Sequence, residues 1–174
     1  MKSGVVSCLS DCAAHRKRHE NKARKRLPQA LQKQKMNYKE ENIKEIAELI
    51  DCGHICFLNN KDGSFEYHPK EIDLFFDEEN PWQDIIDKVE NNWDDYIKIE
   101  QMDSNQSFQV MELFVEEVKS DELRKKLINT LIRPKPFGNF KYLIDNSEYR
   151  QPWFDFKFDQ NILWVKEQIS DSQN

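Results

Sequence analysis

The spacing of apolar positions divides the chain into a polar start and a patterned remainder. Residues 1–35 show no apolar period, and residues 15–26 are almost wholly charged. From Met36 onward, four apolar positions recur at helical spacing: Ile43, Ile46, Ala47 and Ile50. Because Gly53 follows them as a stop signal, a first helix is predicted between Met36 and Gly53.

A β-hairpin and a third strand are predicted after this helix. Ile55–Leu58 and Ser64–Tyr67 are rich in β-branched or aromatic residues, and the Asp62-Gly63 pair between them favours a turn with positive φ. Residues 95–102 alternate between two sets of side chains, which is typical of a strand. At least three strands are therefore available for a small sheet.

The rest of the chain is predicted to be helical. One helix begins at Pro81, which suits a first turn, another follows a cap at Ser104 or Ser107, and the next follows a cap at Ser120. The helix after Ser120 is expected to stop before Pro134, because the residue preceding a proline is pushed out of helical geometry. Its buried face is expected to hold Leu123, Leu127, Ile128, Leu131 and Ile132.

Residues 134–158 hold eight aromatic rings in 25 positions, interleaved with Lys and Arg. Such a stretch suits either a surface that stacks nucleobases or the core of a small domain. From Phe154 to Ile169 the apolar positions step by four, four, three and four, which indicates a terminal helix with Pro152 in its first turn. A shorter helix precedes it. On this interpretation the rings face inward, and the predicted core aromatics are Phe137, Phe140, Trp153, Phe154, Phe158 and Trp164.

These elements predict an α+β fold. A small antiparallel sheet, made of the hairpin and a third strand, packs with about five or six helices, and the C-terminal half is entirely helical. Residues 36–174 are expected to form one compact α+β domain, and residues 1–35 a disordered basic extension. Two explanations of the extension stay open: a basic arm that binds nucleic acid or membrane, and an over-long start upstream of Met36.

Charge is divided between these two segments. Residues 1–35 hold ten Lys or Arg against two acids, so the chain's net charge of −6 leaves −14 on residues 36–174. An acidic body repels polyanions unless its cations are segregated. The cations near the aromatic stretch are the candidate surface for nucleic acid or a partner protein: Arg133, Lys135, Lys141, Arg150 and Lys157. The alternative is that they pair with neighbouring acids or lie over the aromatic core.

Cysteine and histidine spacing suggests two weak metal-site candidates. Cys52, His54 and Cys56 alternate, so on a strand they share one face, and His68 could approach across the hairpin. Ligands two apart on a strand lie about 6.6 Å apart, which suits a tetrahedral centre poorly, so the cysteines are interpreted as small buried hydrophobes. The second set shares a helical stripe in the extension, but one helix cannot surround an ion: Cys8, Cys12, His15 and His19. No metal and no cofactor is predicted.

Acidic residues cluster between the hairpin and the third strand: Glu71, Asp73, Asp77, Glu78, Glu79, Asp84, Asp87, Asp94 and Asp95. Their spacing matches no EF-hand loop, so a solvated acidic face is expected, with a metal-dependent enzyme as the alternative. The chain has four glycines and no nucleophile elbow, phosphate-binding loop or dinucleotide fingerprint. No catalytic residue is therefore predicted.

An ordered series of motifs carries a family resemblance. They are MELF at Met111–Phe114, LRKKL at Leu123–Leu127, PF followed by FK at Pro136–Lys141, and WFDF at Trp153–Phe156. DCGHICFLNN and NNWDDYIKIE extend the likeness, so that about residues 40–170 resemble the bacterial uncharacterised protein family number 0158. Gly138-Asn139 and Pro152 depart from the family pattern, and Gly138 weakens any basic patch at that position. The resemblance implies a small, soluble, cytoplasmic bacterial protein and no particular chemistry.

The function predicted from these observations is a non-enzymatic interaction or regulatory module with a protein partner. Sparse cysteine, the lack of a signal-peptide core and the lack of a long apolar run favour the cytoplasm and no membrane. The first alternative is an RNA- or DNA-associated protein that uses the cations within residues 133–157. The second alternative is an enzyme with an acidic metal site.

Overall fold

Six α-helices and three β-strands follow one another in the part of the chain that the structure, a computed structural model, describes (residues 38–72 and 79–172). The predicted extension, residues 1–35, lies outside it. The elements in chain order are α1 (Glu40–Asp51), β1 (His54–Asn59), β2 (Phe65–Pro69), α2 (Gln83–Glu90), β3 (Tyr96–Ile99), α3 (Ser104–Glu117), α4 (Asp121–Leu131), α5 (Pro136–Asp145) and α6 (Arg150–Asp171). The α+β prediction, with its antiparallel sheet and helical C-terminal half, is confirmed.

Helix α1 forms because its apolar stripe and its end signals agree. Ile43, Ile46, Ala47 and Ile50 are all buried, as their spacing predicts. Glu40 and Glu41 lie in the first turn, where the helix dipole favours negative charge. Gly53 follows the last turn with a φ of +85°, a conformation that glycine adopts without steric cost.

The sheet has the order β2-β1-β3, with both pairs antiparallel. The turn between β1 and β2 uses Gly63 at a φ of +73°, and Asp62 Oδ1 accepts a hydrogen bond from the Ser64 amide at 2.8 Å. Side chains alternate between the two faces of the sheet. Ile55 and Phe57 project from one face and pack against Val89 of α2.

The opposite face of the sheet holds its most deeply buried residues. Cys56 and Leu58 of β1 are fully buried, and Ile99 of β3 lies directly opposite Cys56. Helix α1 packs against both β1 and α6, and α6 also packs against β3. One layer made of the first and last described helices therefore covers this face.

Side chains of helix α6 also form hydrogen bonds with the backbone at the end of β3. The Gln168 amide accepts from the Glu100 N–H at 3.0 Å and donates to the Glu100 carbonyl at 3.0 Å. The Trp164 indole donates to the same carbonyl at 2.8 Å. Both backbone groups of Glu100 are thus paired where the strand leaves the sheet, which avoids the cost of unpaired polar groups.

A second apolar cluster joins α3, α4, α5 and the first turns of α6. Its buried members are Met111, Phe114, Val115, Val118, Leu127, Phe140 and Ile144. Two half-buried rings of α6 pack edge-on or tilted against this cluster: Trp153 lies 5.1 Å from Phe114 and 5.0 Å from Phe140, and Phe156 lies 5.4 Å from Phe114. Aromatic contacts therefore join the start of α6 to a cluster whose buried members are mostly aliphatic.

The helix caps explain where α3 and α4 begin. Asp103, rather than either predicted serine, caps α3, because its carboxylate accepts from the Gln106 amide while the Gln106 side chain accepts from the Asp103 amide. Ser120 caps α4 as predicted. The Tyr149 hydroxyl accepts from the Ser120 amide at 3.2 Å and from the Lys119 amide, which ties the start of α6 to the α3–α4 turn.

The predicted buried face of α4 is wrong at two positions. Ile128 is 48% exposed and Ile132 is 79% exposed. The helix turns Leu127 and Thr130 inward instead, and the buried Thr130 hydroxyl is satisfied because it donates to the Lys126 carbonyl at 2.9 Å. Ile132 follows the last helical residue, so nothing in the described core covers it.

Candidate functional site

Three of the five predicted surface cations form ion pairs with acids of this chain. Lys141 lies 2.6 Å from Asp145, Arg150 lies 3.5 Å from the same carboxylate, and Lys157 lies 2.5 Å from Asp51. The hydrogen bond from Lys141 lowers the pKa of Asp145, so this acid stays ionised beside both cations, and its single negative charge balances one of them. These three residues therefore present less free positive charge than the sequence indicates.

Arg150 has a second contact, with an aromatic ring. Its guanidinium lies 5.0 Å from the centre of the Phe154 ring, within the range of a cation–π interaction. Phe154 is 38% exposed, so its predicted core position is wrong. The ring is nevertheless partly covered by the cation from its own helix.

The inward face of α6 rotates along the helix, which explains the exposure of Phe154. The first turns pack Trp153 and Phe156 against the α3–α5 cluster, whereas the later turns bury Val165 and Ile169 against a different group of elements, α1 and β3. The regular stripe that predicts a core position for Phe154 belongs to the later turns. It points away from the cluster that the first turns contact.

The other predicted core aromatics differ in burial. Phe140 is buried, and Trp153, Phe158 and Trp164 are half-buried. Phe137 is 43% exposed, so its predicted core position is also wrong; its ring packs edge-on against Phe108 at 6.3 Å, at the margin of the cluster. The aromatic stretch is therefore partly core and partly surface.

Apolar exposure is concentrated around the connection between α4 and α5. Four of the eight large hydrophobic residues that are exposed in the described chain lie within residues 128–142: Ile128, Ile132, Phe137 and Tyr142. Tyr142 is 70% exposed on α5. Single exposed hydrophobics are ordinary, but a concentration of them marks an interaction site.

Two cations lie between these apolar residues in the sequence. Arg133 and Lys135 are exposed, and neither forms an ion pair with any residue that the structure describes. Lys135 has a φ of +58° between two prolines, and it is the one non-glycine residue with positive φ in the described chain. This left-handed conformation costs conformational energy in a residue with a Cβ atom, so the surrounding turn must hold Lys135 in it.

We call this region the corner surface, and define it by Ile128, Ile132, Arg133, Lys135, Phe137 and Tyr142. The sequence predicts the cations of this surface as candidates for binding, but it places three of its apolar members, Ile128, Ile132 and Phe137, in the core. The Pro-Lys-Pro run is the sequence feature that could have indicated this exposure, because a rigid turn at a helix end leaves the flanking side chains without cover.

The predicted cysteine and histidine candidates do not come together. His68 pairs with Ile55 in the sheet register, so it projects from the face opposite Cys56 and packs against Phe57 at 5.3 Å. The expected approach of His68 across the hairpin is therefore wrong. His54 Nδ1 lies 3.2 Å from the Leu49 carbonyl. Cys8, Cys12, His15 and His19 lie outside the described residues.

The acidic candidates also fail to converge where they are described. No group of three or more His, Cys, Asp or Glu side chains is arranged to hold a metal within residues 38–72 and 79–172. Asp95 instead pairs with Lys61 at 2.5 Å. Asp73, Asp77 and Glu78 lie outside the described residues.

Cys56 gives a pH-dependent prediction. Burial, with a smaller contribution from Glu45, raises the pKa of this thiol from 9.0 to about 12. Since the unfolded chain ionises first, the stability contributed by the neutral thiol is complete below pH 9.0 and is lost as the pH rises toward 12. Urea midpoints measured from pH 8 to 11 are expected to fall more steeply for the parent protein than for Cys56→Ala.

The matched control for this measurement is the exposed Cys52. Cys52→Ala is expected to keep the parent pH dependence. Equal slopes for the parent and Cys56→Ala would show that the buried thiol does not control alkaline stability.

A shallow cleft of about 300 Å³ lies where α4 begins beside the loop that precedes α6. Ser120, Lys126, Ser147 and Tyr149 are among its lining residues. The hydroxyls of Ser120 and Tyr149 both accept backbone hydrogen bonds, so they stabilise the chain turn. Glu122 and Glu148 also line the cleft, and the Glu122 carboxylate pairs with Lys126 at 2.6 Å.

Among the described helices, none combines the length and the apolar character that crossing a bilayer requires. Searches of the curated proteins and of the solved structures found no significant match. A comparison with protein families matches residues 43–173 to the uncharacterised protein family UPF0158. This match spans most of the chain and includes every described element apart from the first turn of α1. The chain therefore belongs to the uncharacterised protein family UPF0158.

Proposed function

We propose that the protein is a small, cytoplasmic, non-enzymatic binding module of bacteria that contacts a partner protein through the corner surface. The observation that carries the proposal is the exposure of Ile132 next to Arg133, which, like Lys135, forms no ion pair with the residues that the structure describes. Burying apolar area supplies most of the free energy of association, and neighbouring cations add specificity. The sparse cysteines support a reducing compartment.

A photo-reactive amino acid placed at Ile132 in the native host tests this proposal. We expect a discrete protein adduct at this position, because Ile132 is the most exposed apolar residue of the corner surface, at 79%. Leu163 is the matched control, since it is an apolar residue of α6 that is 49% exposed and lies outside the corner surface. The adduct should disappear in Arg133→Glu/Lys135→Glu.

Two outcomes would contradict the proposal. One is crosslinking at Ile132 no stronger or more discrete than at Leu163. The other is turnover of a substrate by the purified protein that a single side-chain change abolishes.

The alternative function is association with RNA or DNA. It is supported by Arg133, Lys135 and the exposed ring of Tyr142, since nucleic-acid modules combine cations with stacking rings. The ion pairs of Lys141, Arg150 and Lys157 weaken it, because they reduce the free charge available for phosphates. Filter binding of cellular RNA at low salt, repeated with Arg133→Glu/Lys135→Glu, tests the alternative; no retention would exclude it.

A further inference from the structure

We infer that the corner surface recognises an acidic amphipathic segment of a partner protein, an inference that rests on the proposed function and names the partner's chemistry. The segment carries carboxylates on one side and aliphatic or aromatic side chains on the other. The charges at the corner, the kind of apolar residue exposed there and the charge of the remaining body support this inference.

The corner surface carries positive charge that the described chain does not neutralise. Arg133 and Lys135 have no ion pair there, and Lys125 has none either. Lys125 lies on the outer side of α4, three residues before Ile128 and seven before Ile132, so it borders the same stripe. Two other exposed cations of the helical half, Lys126 and Lys141, are paired with acids one turn away.

The charge of the rest of residues 36–174 limits which ligands can bind at the corner surface. Residues 36–174 carry a net charge of −14, so an acidic segment is repelled by most of this body and attracted at the corner. A wholly charged ligand would leave Ile132 and Ile128 in water. A ligand with an apolar side covers both isoleucines while its carboxylates reach Arg133 and Lys135.

The apolar members favour a protein segment over a nucleic acid. Ile128 and Ile132 are aliphatic and offer no ring for stacking, and the ring of Phe137 is already packed against Phe108. Tyr142 is therefore the one ring of the corner surface that is free to stack a base. Aliphatic anchors flanked by cations are the arrangement expected for an amphipathic helix laid on a surface.

Fluorescence anisotropy with two labelled synthetic peptides tests this inference on the full chain. Both peptides are helices with leucine on one side; one has glutamate on the other side and the second has lysine. We expect the glutamate peptide to bind, and Ile132→Asp or Arg133→Glu/Lys135→Glu to weaken its binding at least tenfold. Raising the salt from 0.05 to 0.5 M should also weaken it.

Matched variants distinguish peptide binding at the corner surface from nonspecific electrostatic attraction, including attraction by the basic residues 1–35. Lys44→Glu/Lys70→Glu changes the net charge by the same amount at two exposed lysines that also lack ion pairs in the described chain. Leu163→Asp places the same carboxylate at another exposed apolar position. Both controls are expected to bind within twofold of the parent protein. Unchanged urea midpoints verify folding in every variant.

Several results would overturn the inference. These are no binding of the glutamate peptide, equal loss in the corner and control variants, and no effect of Ile132→Asp. Corner-dependent binding of an RNA oligonucleotide or an anionic vesicle with no peptide binding would assign the surface to that ligand, and corner-dependent self-association in sedimentation would assign it to a second copy. If the Ile132 crosslink persists while the peptides fail, the partner chemistry is wrong and the binding module stands.

Discussion

Phe140→Ala is expected to lower the free energy of unfolding by about 3–5 kcal/mol. The ring is 1% exposed and packs against Trp153 at 5.0 Å within the cluster shared by α3, α4 and α5. Removing it leaves a cavity that neighbouring rings fill only in part. Urea denaturation followed by circular dichroism measures the loss as a shift of the midpoint.

Tyr142→Ala on the same helix is the control for this substitution. Because Tyr142 is 70% exposed, its removal is expected to change stability by about 0.5 kcal/mol or less. A loss for Phe140→Ala no larger than for Tyr142→Ala would show that the ring is not part of the core. That result would return the aromatic stretch to the interpretation of a stacking surface.

Arg124→Met is expected to lower the free energy of unfolding by about 1.5–3 kcal/mol, the range for hydrogen bonds made by a charged group. The Arg124 guanidinium donates to the Val118 carbonyl at 2.8 Å and to the Glu116 carbonyl at 3.0 Å. These carbonyls lie at the C-terminus of α3, where helical partners are lacking and positive charge is favourable. Methionine keeps the apolar part of the side chain and removes both donors.

Lys125→Met provides the neighbouring control. Lys125 is exposed and forms no ion pair with the described residues, so its substitution should leave the urea midpoint nearly unchanged. Arg124→Lys is expected to recover only part of the loss, because one ammonium cannot reproduce the planar fork of the guanidinium. Full recovery with lysine would mean that charge alone matters at this position.

The elements that the sequence predicts well are those whose local signals agree. In α1, the stripe that ends at Ile50 and the following Gly53 both specify one helix with one buried side. In the hairpin, Asp62 and Gly63 provide a turn between two apolar runs. Neither assignment requires knowledge of which distant element covers the apolar side.

The corner surface could not be predicted because α4 is apolar on more than one side. Leu127 and Ile132 are equally plausible core positions by spacing, and only the placement of α3 and α5 decides which is covered. Helix α6 raises the same difficulty, since its first turns and its later turns bury different stripes against different partners. Burial there depends on tertiary packing, which overrides the local pattern.

The ion pairs also divide into those that local spacing predicts and those that only the fold brings together. The Lys141–Asp145 pair is one helical turn long and follows from spacing alone. The Lys157–Asp51 pair joins α6 to the end of α1, and no local rule connects residues so far apart in the sequence. Which cations stay without an acidic partner therefore depends on the fold, and among the described residues Arg133 and Lys135 form no ion pair.

The hydrogen bonds between Glu100 and α6 have a consequence for the order of folding. Trp164 and Gln168 lie 64 and 68 positions after Glu100, so a growing chain can form the hairpin long before the partners for the end of β3 exist. Until α6 is synthesised, Ile99 of β3 lacks part of its cover. During translation the sheet therefore exposes apolar surface that the last helix covers in the folded protein.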